Sequence, residues 1–155
     1  MGYLVADRAA DPVNPVLHRA VCPDPGPAWF TDRFAANGWT GAWRNGVFDW
    51  HHYHMTSHEV LGCFAGWAVL QLGGEDGRTI RIEAGDVLVI PAGLAHKRLQ
   101  SSADFGVVGA YPGGATPDMQ TGEGHPCPLA IWDRDPVTGA APETDWQQKP
   151  RKGAS

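Results

Sequence analysis

The chain has 155 residues, a length typical of one domain that buries about two thirds of its unfolded surface. Its net charge of -5 and isoelectric point near 5.7 argue against nucleic acid as a partner, because phosphate binding depends on clustered Lys and Arg. No stretch approaches the roughly 18 apolar residues of a membrane span, and the first residues lack a signal-peptide core, so we expect a cytoplasmic protein without membrane contact. The three cysteines show no CxxC spacing, which argues against a disulfide framework or a thiolate zinc site.

Residues 1–37 are expected to form an N-terminal extension. The apolar run Val16–Val21 lies among prolines and predicts an edge strand, where a missing backbone donor is tolerated. The segment Pro27–Asn37 predicts a short amphipathic helix, because Phe30 and Phe34 are four residues apart, a proline stands at its start and a glycine follows its end.

The next segment, residues 38–112, contains many short apolar runs separated by turn residues. The Asn45-Gly46 pair between aromatic residues predicts a hairpin. Turn signals recur about every 8 to 12 residues and no helical pattern interrupts them, which is typical of an all-β sandwich or barrel. The predicted strands are His52–His54, Glu59–Phe64, Trp67–Leu72, Thr79–Ile82, Asp86–Ile90, Ala95–Leu99 and Phe105–Tyr111.

The remainder, residues 113–155, is rich in Gly, Pro and charge and predicts an irregular, mobile C-terminal tail. One apolar patch in it, Leu129–Trp132, is expected to return and cover the barrel. The only basic cluster, Lys149–Lys152, also lies in this tail.

Three histidines and a carboxylate are the candidate metal ligands. His52 and His54 are two residues apart, and they share a face because successive side chains of a strand alternate. If that face looks into a closed sheet, Glu59 and His96 from neighbouring strands complete a site for one metal ion. Such a site leaves coordination positions open to water or substrate, and three imidazoles with a carboxylate suit Fe, Mn, Zn or Ni.

The spacing of these residues resembles the two sequence motifs of the cupins. In the first motif, Gly, five residues, His-x-His, three or four residues, Glu, six residues and Gly follow one another. In the second, Gly is followed after five residues by Pro-x-Gly, after two more by His and after three more by Asn. The matching residues are Gly46, His52, His54, Glu59 and Gly66 in the first motif and Gly85, Pro91, Gly93 and His96 in the second, with Gln100 in place of Asn.

Beyond the motifs, residues 30–112 resemble the small bacterial single-domain cupins of the YjlB-like kind. The resemblance implies an all-β fold, a cupin double-stranded β-helix or jelly-roll barrel over residues 38–112, with the short N-terminal helix and the irregular C-terminal tail outside it. It also implies one divalent metal ion held by His52, His54, Glu59 and His96, and a homodimer, since cupin barrels commonly pair through edge strands.

Strand alternation places further side chains on the inner face. If Glu59 points inward, Leu61 and Cys63 do so too, whereas His58 points away. A bulge would reverse this choice, so His58 stays open as an alternative ligand to Glu59. We expect Cys63 to be a small apolar filler of the core.

The same rule places Arg98 and Gln100 beside His96 on the inner face, where they are the candidate catalytic residues. A guanidinium beside an open metal position can bind a substrate carboxylate through two parallel hydrogen bonds. The alternative for Arg98 is a salt bridge with Glu83 or Asp104. The remaining histidines and tyrosines are interpreted as packing or solvated side chains: His18, His51, His125, Tyr53 and Tyr111.

Three hypotheses for function follow from the residues and the resemblance. The first is a mononuclear metal-dependent enzyme acting on a small, acidic molecule, of the dioxygenase, isomerase or decarboxylase type. The second is a non-catalytic cupin that binds a small ligand through its metal, and the third is a storage or structural cupin. Turnover with bound metal would favour the first, and tight binding without turnover the second.

Overall fold

The computed structural model describes residues 14–142. The first 13 residues, which were expected to lack a signal-peptide core, and the basic cluster Lys149–Lys152 lie outside these residues. The described residues form one helix and ten strands: β1 (Val16–His18), α1 (Pro27–Ala36), β2 (Trp39–Asn45), β3 (His52–Tyr53), β4 (Glu59–Ala65), β5 (Trp67–Leu72), β6 (Arg78–Glu83), β7 (Val87–Ile90), β8 (His96–Ser101), β9 (Gly106–Pro112) and β10 (Gln120–Thr121).

The strands form two five-stranded sheets in which every pair of neighbours is antiparallel. Sheet 1 has the order β1-β7-β4-β9-β2, and sheet 2 has the order β10-β3-β8-β5-β6. Consecutive strands often belong to different sheets, so the chain passes repeatedly from one sheet to the other. The prediction of an all-β fold with one short N-terminal helix is confirmed.

Two apolar layers hold these elements together. The inner layer lies between the sheets and joins Leu61 and Leu88 of sheet 1 to Leu70 and Ile82 of sheet 2. The outer layer lies between sheet 1 and the helix. Burial of such side chains removes apolar surface from water, which is the main favourable contribution to folding.

Helix α1 packs closely against sheet 1 because β4 has no side chain at Gly62. A Cβ atom at this position would lie 2.5 Å from the ring of Phe30 and 2.8 Å from the ring of Phe34. Both rings are fully buried. The glycine therefore lets the apolar face of the helix reach the backbone of the sheet.

The hairpin predicted at Asn45-Gly46 is wrong. Strand β2 pairs with β9 in sheet 1, whereas the next strand, β3, belongs to sheet 2. The Asn45 side chain accepts a hydrogen bond from the Gly46 N–H at 2.8 Å. The chain therefore turns here to cross between sheets, which a local turn signal does not distinguish from a hairpin.

Both segments that flank residues 38–112 contribute strands to the sheets. Strand β1 pairs with β7, and β10 pairs with β3. Apart from β10, the described part of the C-terminal segment, residues 113–142, contains no helix or further strand, and it packs on the fold. Trp132 lies in the outer apolar layer, and the Trp39 indole N–H donates to the carbonyl of Arg134 at 2.8 Å.

Within residues 14–142, no helix has the length and apolar character needed to cross a lipid bilayer.

Candidate metal centre

Three imidazoles from β3, β8 and the residue after β3 lie close together in sheet 2. His52 of β3 is the register partner of His96 of β8, and the centroids of their rings are 4.1 Å apart. His54 follows β3 directly, with ring centroids 6.1 Å from His52 and 6.0 Å from His96. All three side chains are buried, and one ring nitrogen of each lies within 4.8 Å of the others. That separation fits three ligands of a single ion.

Each imidazole is oriented by a backbone carbonyl. The Nδ1 atom of His52 lies 3.1 Å from the Trp50 oxygen, that of His96 lies 3.2 Å from the Leu94 oxygen, and that of His54 lies 2.6 Å from the Asp118 oxygen. A carbonyl only accepts, so Nδ1 carries the hydrogen in every case. The Nε2 atom of each neutral ring is then left with a lone pair, as metal-binding histidines require.

Glu59, at the start of β4 in sheet 1, brings its carboxylate to the same point. Its Oε1 atom lies 3.4 Å from Nε2 of His54 and 3.2 Å from Nε2 of His96. Oε1 is buried and accepts no well-formed hydrogen bond from any residue of the described chain. An oxygen and two nitrogen lone pairs that face one another need a proton or a cation between them.

The charges of these groups agree with this geometry. Burial alone raises the pKa of Glu59, but the adjacent rings of His54 and His96 outweigh it and hold the pKa at about 2. Burial and the neighbouring His96 lower the pKa of His52 to about 4, so its ring is neutral at pH 7. Burial lowers the pKa of His54, but the neighbouring Glu59 carboxylate raises it by more. The net effect is a raised pKa. A cation bound between these groups would compete with protonation of His54.

Tyr111 of β9, interpreted from the sequence as a packing or solvated side chain, also contacts this site. Its hydroxyl lies 3.2 Å from the second carboxylate oxygen of Glu59, Oε2, and 2.8 Å from the indole Nε1 of Trp43. Burial and the charge of Glu59 raise the pKa of Tyr111, so the hydroxyl keeps its proton. This contact results from the pairing of β4 with β9, which are far apart in the sequence. No local sequence pattern predicts it.

A second contact missed from the sequence comes from Asp118, which precedes β10. Its carbonyl orients His54, and its carboxylate accepts hydrogen bonds from the N–H groups of Met55 and Thr56 at 2.8 and 3.0 Å. These bonds fix the loop that follows His54. The C-terminal segment therefore supplies a supporting residue to the site.

A cavity of about 730 Å³ opens beside the four candidate ligands. Arg98 lines it, and its Nε atom donates to the carbonyl of Val47 at 3.0 Å. Within residues 14–142 the ion pair of Arg98 is a long one, with Nη2 at 4.0 Å from Asp49. The predicted alternative partners, Glu83 and Asp104, form no ion pair with it there. The guanidinium therefore retains donors for a ligand in the cavity.

The prediction that Gln100 faces this cavity is wrong. Gln100 pairs with Val69 and Arg98 pairs with Leu70, so Leu99 is an extra residue in β8. Such a bulge shifts the alternation of side chains by one position. Gln100 consequently points to solvent, and Ser101 takes its expected place in the cavity wall.

His58 lies outside the ligand cluster, and its side chain points away from the cavity that Glu59 lines. Its Nε2 donates to the carbonyl of Ala130 at 2.7 Å, and its Nδ1 accepts the Ala92 N–H at 2.9 Å. Its ring also stands at 82° to the indole of Trp132, with the ring centroids 5.1 Å apart. Each ring nitrogen thus has a partner away from the cavity, and His58 joins the C-terminal segment to the sheets.

Two histidines interpreted from the sequence as packing or solvated residues lie within hydrogen-bonding distance of carboxylates. His18 lies 2.8 Å from Asp135, which ties β1 to the C-terminal segment, and His51 lies 2.8 Å from Glu75. His125 is exposed, as predicted. None of these three belongs to the cluster of His52, His54 and His96.

Cys63 is expected to be unreactive in the folded protein. Its side chain is fully buried, and burial raises the pKa of its thiol to about 11, so the reactive thiolate is scarce at pH 8. Cys22 and Cys127 are buried as well. Iodoacetamide should label the native protein slowly at pH 8 and all three cysteines quickly in denaturant, as measured by mass spectrometry. Rapid labelling of Cys63 without denaturant would contradict this description of its surroundings.

No protein-family model matches the chain. The sequence is 46% identical over 111 residues to the uncharacterized protein YjlB of Bacillus subtilis strain 168, which covers 66% of this chain and 67% of the relative. A relative of this identity and extent establishes common family membership.

Solved structures show weaker similarity. Procruciferin, an 11S globulin from Brassica napus, has 18% identity and a TM-score of 0.42 over 52% of this chain and 21% of its own. The 3,4-ketoisomerase QdtA of Thermoanaerobacterium thermosaccharolyticum has 17% identity and a TM-score of 0.40 over 45% of this chain and 56% of its own. The chain therefore spans about a fifth of the first protein and about half of the second, and neither likeness assigns a reaction to it.

Proposed function

Since the chain belongs to the same family as the uncharacterized protein YjlB of Bacillus subtilis, we propose that it is a metal-binding cupin. Its ligands to one divalent ion, Fe, Mn, Zn or Ni, are His52, His54, Glu59 and His96. The two antiparallel sheets and the spacing of the two cupin motifs support the fold assignment, and closure of the sheets into a barrel is part of this proposal.

One observation carries the metal assignment. The buried Oε1 of Glu59 faces Nε2 of two histidines whose Nδ1 hydrogens are already donated to carbonyls. Three imidazoles and one carboxylate form a donor set that suits these transition metals, and oriented imidazoles bind them more tightly. A purely structural hydrogen-bond network would instead satisfy Oε1 with a donor.

We further propose that the ion serves a reaction on a small acidic molecule, of the oxygenase, isomerase or decarboxylase type. When bound, the ion acts as a Lewis acid that polarises an oxygen atom of the substrate. The protein contributes binding and orientation through Arg98, and Leu61, Phe105 and Trp43 give the cavity an apolar wall. The homodimer and the cytoplasmic location stay predictions.

Metal analysis tests the first part of the proposal directly. The protein, purified without chelators and with a known protein concentration, is analysed by plasma emission spectrometry and then titrated with Fe, Mn, Zn and Ni in competition with a chromogenic chelator. We expect close to one ion per chain and tight binding of at least one metal. Failure of every metal to bind at a single site would refute the proposal. If the metal-loaded protein converts a small molecule to a product, an enzyme is favoured over a binding protein.

Arg98→Ala is expected to weaken the binding of small carboxylates by about 10-fold to 100-fold, because a hydrogen bond to a charged group contributes about 1.5–3 kcal/mol. The metal content should not change, since Arg98 is not a ligand. Isothermal titration of the metal-loaded protein with acetate, malonate and benzoate measures the effect. Arg98→Lys keeps the charge but loses the bond from Nε to Val47 and should show an intermediate loss.

Arg81→Ala is the matched control for this series, because Arg81 is an exposed residue of β6 that packs on Trp67 outside the cavity. It should bind the same carboxylates as the unaltered protein does. If the Arg98→Ala variant bound all three acids as tightly as the unaltered protein does, Arg98 would not be a ligand-binding residue.

A further inference from the structure

The two oxygens of the Glu59 carboxylate lie in different surroundings. Oε1 faces the histidine nitrogens and lacks a well-formed hydrogen bond among the described residues, whereas Oε2 lies 3.2 Å from the hydroxyl of Tyr111. A free carboxylate presents two equivalent oxygens and can bind a metal through one or both of them. The hydrogen bond to Oε2 therefore distinguishes the two oxygens before any ion binds.

The direction of this hydrogen bond is set by Trp43. An indole N–H only donates, so the Tyr111 oxygen must accept the bond from Trp43 at 2.8 Å. The single hydrogen of the hydroxyl is then available for the other neighbour, the Oε2 atom of Glu59 at 3.2 Å. The three groups form a one-way chain of donors from Trp43 through Tyr111 to Oε2 of Glu59.

The backbone of sheet 1 makes room for this chain at Gly109. Trp43 of β2 is the register partner of Gly109 of β9, and a Cβ atom at residue 109 would lie 2.2 Å from the indole ring. The indole of Trp43 therefore lies directly over Gly109 of β9, where the side chain of any other residue would collide with it. Tyr111, two residues further along β9, projects from the same face and meets the indole nitrogen.

From this geometry we propose that Tyr111 is a positioning residue that holds Glu59 so that Oε1 alone is presented to the metal, with Trp43 fixing the Tyr111 hydroxyl. The inference rests on the proposed function, because it assumes that Glu59 is a ligand. Its consequence is that one carboxylate oxygen occupies one coordination position, and the position that Oε2 would take stays available to substrate. Hydrogen-bonded partners of metal ligands commonly change metal affinity by about 10-fold to 100-fold when they are removed.

Tyr111→Phe removes only the hydroxyl and keeps the ring, and it tests the inference in the full-length protein. We expect its affinity for Co²⁺, measured by chelator competition, to fall by about 10-fold to 100-fold. The visible absorption of bound Co²⁺ should also weaken, because binding of both carboxylate oxygens raises the coordination number. A residue that only packs against its neighbours would leave this spectrum unchanged.

Tyr53→Phe is the matched control. Tyr53 stands between two of the proposed ligands in the sequence, but it lies outside the cavity lining and its hydroxyl makes no hydrogen bond with the residues that the structure describes. The same chemical change there should leave both the Co²⁺ affinity and the Co²⁺ spectrum as in the unaltered protein. An equal loss in both variants would overturn the assignment to Tyr111.

Trp43→Phe gives a second route that leaves the Tyr111 hydroxyl in place. It should weaken Co²⁺ binding less than Tyr111→Phe does, and it should have no further effect in a protein that already carries Tyr111→Phe, because the Trp43 N–H acts through the hydroxyl. Additive losses would overturn the proposed chain of donors. Normal affinity and a normal spectrum in Tyr111→Phe would overturn this inference alone, whereas no metal binding by the unaltered protein would overturn the proposed function as well.

Discussion

Replacing His96 with Ala is expected to remove metal binding almost completely while leaving the protein folded. His96 is the imidazole that contacts both the ring of His52 and Oε1 of Glu59, so its loss breaks the ligand cluster at its centre. Removal of a residue that merely supports a ligand costs about 10-fold to 100-fold in affinity, and we expect the loss of a ligand to exceed 100-fold. Emission spectrometry of the purified variant, with chelator competition, measures the change.

The control for this variant is His125→Ala, since His125 is exposed and its ring contacts the adjacent carbonyl of Pro126. It should retain the metal content of the unaltered protein. Circular dichroism and a cooperative unfolding transition establish that His96→Ala is folded. A folded His96→Ala protein with full metal occupancy would remove His96 from the ligand set and would refute the proposed centre.

Trp132→Ala is expected to produce the largest loss of stability among the changes considered. Trp132 is 5% exposed and packs edge-on against Trp39, with ring centroids 6.0 Å apart. Removing a buried Trp side chain costs about 3–5 kcal/mol, because apolar contacts are lost and a cavity remains. At about 2–4 °C per kcal/mol for a domain of this size, the melting temperature should fall by about 6–20 °C. Calorimetry of the metal-free protein measures it.

Trp50→Ala is the matched control, because Trp50 is 47% exposed and its ring stacks on the exposed ring of Phe48. The same substitution there should cost no more than about 1 kcal/mol. If both variants melted at similar temperatures, residues near 132 would not be part of the packed protein.

The sequence predicted most strands between His52 and Tyr111 and the four residues of the candidate centre, because both leave a periodic or spaced signal, but it did not predict β10. Alternation within a strand predicted that His52 and His51 point to opposite faces, and likewise Glu59 and His58. These relations need only the local geometry of an extended chain. The division of the strands between two sheets was not predictable in the same way, and for that reason Asn45-Gly46 was misread as a hairpin.

The errors lie where a long-range contact or a single inserted residue decides the outcome. Leu99 adds one residue to β8 and turns Gln100 outward, although nothing in the local sequence marks the bulge. Tyr111 and Asp118 reach the centre from distant parts of the chain, by way of strand pairing and a loop. Such supporting residues have no motif of their own, so the sequence identified the candidate ligands but not the groups that orient them.

The proposed ligands are divided between the two sheets: His52 and His96 belong to sheet 2, and Glu59 belongs to sheet 1. An ion bound to all of them would crosslink the sheets across the inner apolar layer, much as a disulfide joins distant segments. Amide hydrogen exchange would slow in β3, β4 and β8 together on metal loading, although only two of these strands are neighbours in one sheet.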